Sequence, residues 1–135
     1  MENCKIITVA NQKGGTGKTT TARNLGNALA DMGEKVLLVD FDPQSNLSMS
    51  FGIERPDELE MPMHEILSLI MDGEPLPAKN EYIIIGGKLD IIPCNINLSV
   101  TEVNLRDEMS GEHTLKELLE PLRSEYTYII IDTNL

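Results

Sequence analysis

Apolar positions along this chain fall into short runs separated by stretches of helical period. Ile6-Ile7-Thr8-Val9-Ala10 is a β-branched run that meets Gly14-Gly15-Thr16-Gly17, which predicts a strand over residues 5–10 feeding a loop. Beyond the loop Ala22, Leu25, Ala28, Leu29 and Met32 recur at three- and four-residue spacing, and Gly33 follows as a helix stop. Val36-Leu37-Leu38-Val39 is uninterrupted, as expected of a parallel strand covered on both faces, and it ends at Asp40-Phe41-Asp42-Pro43. Residues 1–42 therefore read as one βαβ unit.

Further on, Met63, Ile66, Leu67, Ile70 and Met71 line one helical face behind Pro62, and Gly73, Pro75 and Pro77 prevent continuation. The runs Tyr82 to Ile85 and Leu89 to Ile92 flank Gly86-Gly87-Lys88 and predict a hairpin. Thr114-x-x-Glu117 has the pattern of a capping box. It would open a helix with Leu115, Leu118, Leu119 and Leu122 inward, kept short or kinked by Pro121. Tyr128 to Ile131 is a last strand, running into Asp132 three residues before the chain stops. The alternation predicts an α/β domain with a mostly parallel sheet flanked by helices. A chain of 135 residues suits one such domain, burying roughly two thirds of its unfolded surface.

Charge narrows the function. With 11 Lys+Arg against 22 Asp+Glu the net charge is −11, which repels a phosphate backbone unless basic residues cluster, and no such cluster is visible. Cys4 and Cys94 are far apart and outside any Cys-x-x-Cys pair, so metal-site and disulfide readings are weak and a reduced, cytoplasmic protein is expected. The apolar runs are far shorter than a membrane span and the N-terminus lacks a signal-peptide pattern.

The loop carries the chemistry. In a Gly-x-x-x-x-Gly-Lys-[Ser/Thr] loop, glycines let backbone N–H groups converge on phosphate oxygens at a helix N-terminus. Gly17-Lys18-Thr19 supplies the last three positions, whereas the first falls on Gln12. Lys18 is expected at the β/γ-phosphates and the Thr19 hydroxyl on Mg²⁺. The whole string Ala10-Asn11-Gln12-Lys13-Gly14-Gly15-Thr16-Gly17-Lys18-Thr19-Thr20 resembles the deviant Walker A loop of the ParA/MinD family of P-loop ATPases. Val39 to Gln44 resembles that family's second acidic motif in its ParA branch, and Tyr128 to Asp132 its Walker B strand.

The resemblance covers the chain and implies that residues 1–135 are the N-terminal portion of a single ParA-like P-loop NTPase domain, incomplete after the Walker B strand. It implies ATP and Mg²⁺ as cofactors, with Gly14, Gly15, Thr16, Gly17, Lys18, Thr19 and Thr20 cradling the phosphates. By the same likeness two protomers sandwich two ATP molecules, and Lys13 reaches the partner's phosphates. Asp42 would orient the attacking water, and Asp40 and Asp132 would act near Mg²⁺ through its coordinated waters. The spacing of Asp40 and Asp42 puts both on one side of an extended segment. Pro43-Gln44-Ser45-Asn46 would form a switch, with Ser45 standing where relatives usually carry glycine. The implied function is an ATP-hydrolysing switch for plasmid or chromosome partitioning, stimulated by a ParB-like partner. It would be cytoplasmic and nucleoid-associated, binding DNA nonspecifically through a region beyond these residues.

Three other readings compete. A MinD-like division-site ATPase would need a C-terminal basic amphipathic helix, which is not seen here. An iron-protein relative would need paired cysteine ligands for an Fe–S cluster, which Cys4 and Cys94 do not make. A non-enzymatic fragment that keeps the phosphate loop is the third. The remaining residues take plainer expectations. His64 and His113 are surface or capping residues, Met61, Met63 and Met71 fill core, Asp57 to Glu60 is a solvated loop, and Tyr82, Tyr126 and Tyr128 pack on strand faces.

Overall fold

The computed structural model describes residues 4–10, 17–95, 97–98 and 108–133. In chain order these form β1 (Lys5–Ala10), α1 (Gly17–Asp31), β2 (Val36–Phe41), the short α2 (Asn46–Ser50), α3 (Met63–Met71), β3 (Ile84–Ile85), β4 (Asp90–Ile92), α4 (Glu108–Leu119) and β5 (Tyr128–Thr133). The sheet runs β1-β5-β2-β4-β3, parallel except for the antiparallel β3–β4 pair. The expected α/β class and parallel sheet are thus observed. Within the opening βαβ unit, however, β5 is inserted between β1 and β2 and pairs with both along its whole length.

Side chains alternate across β2 and β5, and each face has its own core. Val36, Leu38, Ile91 and Ile130 pack with Ala22 and Leu47 on the α1 side. Leu37, Val39, Ile129 and Ile131 pack with Met63, Ile66 and Leu67 of α3 and Leu118 of α4 on the other. Both faces of β2 are covered, which explains its unbroken apolar run. Gly26 lets α1 lie close to the sheet, since a Cβ there would sit 3.1 Å from Leu38 Cδ2.

Helix α1 ends in a Schellman turn. Gly33 takes φ +91°, its N–H bonds Ala30 O at 3.0 Å and Glu34 N bonds Leu29 O at 3.1 Å. Met32 therefore lies at the cap and is 73% exposed, so it leaves the apolar face that its spacing suggested. Ala28 is also exposed, and Ala22, Leu25 and Leu29 carry that face. Helix α3 ends the same way at Gly73, and its last residue, Met71, is exposed rather than core.

Two further expectations change. Helix α4 starts at Glu108, so buried Thr114 is an interior residue and Thr114-x-x-Glu117 is not its capping box. Such a pair also occurs inside a helix, where i and i+3 share a face. His113 is exposed and pairs with Glu117 one turn on, Nε2 to Oε1 at 3.0 Å. Pro121 acts as expected: α4 stops at Leu119 and continues as a 3-10 turn over Glu120–Ser124 that needs no proline N–H. The hairpin is present but short, because Tyr82 caps a 3-10 turn (Lys79–Glu81) and only Ile84–Ile85 pairs. Pro56–Glu58 forms a 3-10 turn that overlaps the expected acidic loop, Asp57 to Glu60.

Candidate functional site

The C-terminal ends of β5 and β2 meet the first turn of α1. A parallel sheet gathers such residues at one edge, because every strand ends there. Asp132 on β5 is in register with Val9 on β1 and with Asp40 on β2. Thr19, in the first turn of α1, donates its hydroxyl to Asp132 Oδ2 at 3.0 Å. A hydroxyl has one proton and two lone pairs, so this bond leaves the Thr19 oxygen able to ligate a cation. Thr20 is exposed, and the backbone of Gly17 and Lys18 opens the helix. Lys13, Gly14, Gly15 and Thr16 lie outside the described residues, as does the side chain of Lys18.

Asp40 is fully buried. Its Oδ2 accepts from Ser48 N at 2.9 Å and Ser48 Oγ at 2.5 Å, and its Oδ1 accepts from Asp42 N at 3.3 Å. Burial pushes its carboxyl pKa up to about 7; the Ser48 hydroxyl, then the Ser48 N–H, pull it down, the charge of Asp132 raises it, and the Asp42 N–H lowers it. Asp42 lies just past β2 with 5% exposure, and its Oδ1 accepts from Gln44 N at 2.9 Å while its carbonyl accepts from Ser45 N. Asp40 and Asp42 are therefore joined locally, through the N–H of Asp42 rather than through both carboxylates.

Three further features shape this corner, of which only the position of Ser45 was marked by the sequence. Residues Asn46–Ser50 form a helix, α2, that begins at the last residue of the expected switch. Ser45 precedes it at φ 61° and ψ 24°, the left-handed region that favours glycine. Ser48 bridges Asp40 to the backbone of buried Cys94, whose N–H donates to Ser48 Oγ at 3.0 Å. Burial first, then the charges of Asp40 and Asp42, hold the Cys94 thiol far above its ordinary range, so it is not a nucleophile here.

Hard oxygen donors of this kind fit Mg²⁺. Among the described residues no group of three or more His, Cys, Asp or Glu side chains is spaced to hold an ion unaided, so ligand and water oxygens would complete its shell.

Known proteins resemble this chain in sequence and in fold. The AAA_31 family, described as an AAA domain, matches residues 4–134. The chain is 44% identical over 128 residues to the sporulation initiation inhibitor protein Soj of Bacillus subtilis, covering 95% of this chain and 49% of that protein. It is 41% identical over 130 residues to the chromosome partitioning protein ParA of Caulobacter vibrioides, covering 95% and 47%. The chain thus spans about half the length of these relatives. Among solved structures it is similar to the cobyrinic acid a,c-diamide synthase of Mycobacterium smegmatis with bound ATP analog and magnesium. That match has TM-score 0.82 and 37% identity, over 96% of this chain and 50% of that one. The chain belongs to the AAA_31 family and has the P-loop NTPase fold of the ParA/Soj-type partition ATPases.

Proposed function

We propose that this chain forms the Mg²⁺- and ATP-binding part of a partition ATPase. The observation that carries the proposal is the Thr19–Asp132 hydrogen bond of 3.0 Å directly behind a Gly-Lys-Thr sequence, with Asp40 in register beside it. A bound Mg²⁺ would neutralise phosphate charge and orient the terminal phosphoryl group. Thr19 would ligate it directly, with Asp132 and Asp40 holding its waters. Lys18 would neutralise the β/γ-phosphates from within the chain, and Lys13 would reach across to those of a second protomer, where a cation stabilises charge that shifts during transfer. Asp42, two residues beyond Asp40, would orient the attacking water.

In this reading ATP closes a homodimer, a ParB-like partner stimulates slow hydrolysis, and the whole protein acts in the cytoplasm on nucleoid DNA. Support comes from the names of the relatives, Soj and ParA. DNA contacts would lie outside these 135 residues, whose net charge of −11 opposes them. A Mg·ATP titration by calorimetry tests the core of the proposal. Saturable binding that Lys18→Ala abolishes is expected, and its absence in the unsubstituted chain would remove the function from this chain.

A further inference from the structure

Ser48 lies outside the sequence motifs, yet its hydroxyl makes a close hydrogen bond to Asp40. Its hydroxyl has one proton and two neighbours, Asp40 Oδ2 at 2.5 Å and Cys94 N at 3.0 Å. A backbone N–H can only donate, so Cys94 takes an oxygen lone pair and the hydroxyl proton goes to the carboxylate. The bonds therefore run in one direction, from Cys94 N–H through Ser48 O–H to Asp40, and each polarises the next. The Ser48 N–H adds a second donor to the same oxygen at 2.9 Å.

We propose that Ser48 is a positioning residue for cation binding: its hydroxyl and N–H fix the Asp40 carboxylate beside Asp132 and tie it to the end of β4. Two carboxylates at register-paired positions repel, and both are fully buried. The donors of Ser48 give the Asp40 charge a fixed place, so a cation's water shell meets a preset oxygen instead of a mobile one. The C-terminal end of α2 is anchored separately. The Arg23 guanidinium donates to Ser50 O and lies 4.8 Å from the Phe51 ring centre, which ties α2 to the phosphate-loop helix. Ser48 thus sits at the middle of a short helix whose C-terminal end is held by α1, and itself ties that helix to β2 and to the segment after β4. Removing the hydroxyl deletes the closest partner of Asp40 and leaves the N–H of buried Cys94 without its acceptor.

This inference rests on the proposed nucleotide function, and its test separates the two. ATP affinity is measured by calorimetry with Mg²⁺ and with chelator in the parent chain, Ser48→Ala, Ser48→Thr, Asp40→Asn and the Ser48→Ala/Asp40→Asn double variant. Ser48→Ala should keep its chelator-condition affinity while its Mg²⁺ enhancement falls about 10-fold or more, the usual cost of losing a residue that orients a metal's surroundings. Ser48→Thr should restore the enhancement, and in the Asp40→Asn background Ser48→Ala should have no further effect on it. Equal loss with and without Mg²⁺, or additive losses in the double variant, would make Ser48 a purely structural residue and overturn the inference. If the parent chain binds no ATP, the proposed function fails, and nucleotide-free amide spectra then decide. Ser48→Ala should shift the Asp132 amide as well as expose that of Cys94 to exchange, with Ser48→Thr restoring both, whereas an unmoved Asp132 amide would overturn the inference.

Discussion

Thr19 Oγ1 and Asp132 Oδ2 meet at 3.0 Å although 113 positions separate them. Asparagine at 132 would keep an acceptor oxygen for Thr19 while removing one of two facing charges. Asp132→Asn is therefore expected to melt no lower than the parent chain, yet to lose about 10-fold or more of the Mg²⁺ enhancement of ATP binding. Thermal unfolding and calorimetry read the two effects separately. An unchanged Mg²⁺ dependence would remove Asp132 from the cation site.

Stability should depend on pH through Asp40. Burial raises this carboxyl from 3.8 to about 7, so between those values the folded chain holds a proton that the unfolded chain has released. Its contribution is most favourable below about pH 4 and is lost as pH rises to about 7. Urea unfolding of the metal-free chain should show stability falling across this window, by on the order of a few kcal/mol at most. Asp40→Asn should flatten that slope; an equal slope in the variant would assign it to other groups.

The Tyr126 hydroxyl donates to Asp90 Oδ2 at 2.6 Å in a buried pair at the opposite end of the sheet. Burial first, then the bond to Asp90, hold the phenol above its ordinary range, so it stays a donor at neutral pH. Tyr126→Phe leaves Asp90 with the Gly86 N–H at 3.4 Å and should cost about 1–3 kcal/mol in urea unfolding without altering the Thr19–Asp132 corner. A cost near zero would show that Asp90 finds another donor.

Ser45 occupies the left-handed region at φ 61°, where a non-glycine side chain costs roughly 1–2 kcal/mol. Its hydroxyl bonds Pro43 O at 3.2 Å and offsets part of that cost. Ser45→Gly should be at least as stable as the parent chain, and Ser45→Ala less stable by about 1 kcal/mol through loss of that bond. Denaturant midpoints of the three chains give the order directly, and Ser45→Gly as the least stable would show that the conformation is unstrained.

Strands β1, β2 and β5, helices α1 and α3, and the hairpin were legible because each is a local pattern. A run, a period or a turn residue is read within a few neighbours, and Gly33 and Gly73 end their helices by backbone rules that involve only the last turn. The loop between β1 and α1 offered a candidate for phosphate binding for the same reason, its motif being one contiguous string. Thr114 and Met32 misled because a capping-box spacing and an apolar spacing both persist where the helix has already begun or already ended.

Tertiary structure alone inserted β5 between β1 and β2 and so set Asp132 beside Asp40. It alone joined Ser48 to Asp40 and to Cys94, positions separated by 8 and by 46 residues. No local preference encodes such contacts. They follow from strand order and register, which are fixed by how two apolar faces of one sheet are buried at once. The sequence by itself determined which elements form and where a Gly-Lys-Thr string falls between a strand and a helix, while the packing of those elements decided which carboxylates face each other and what holds them in place.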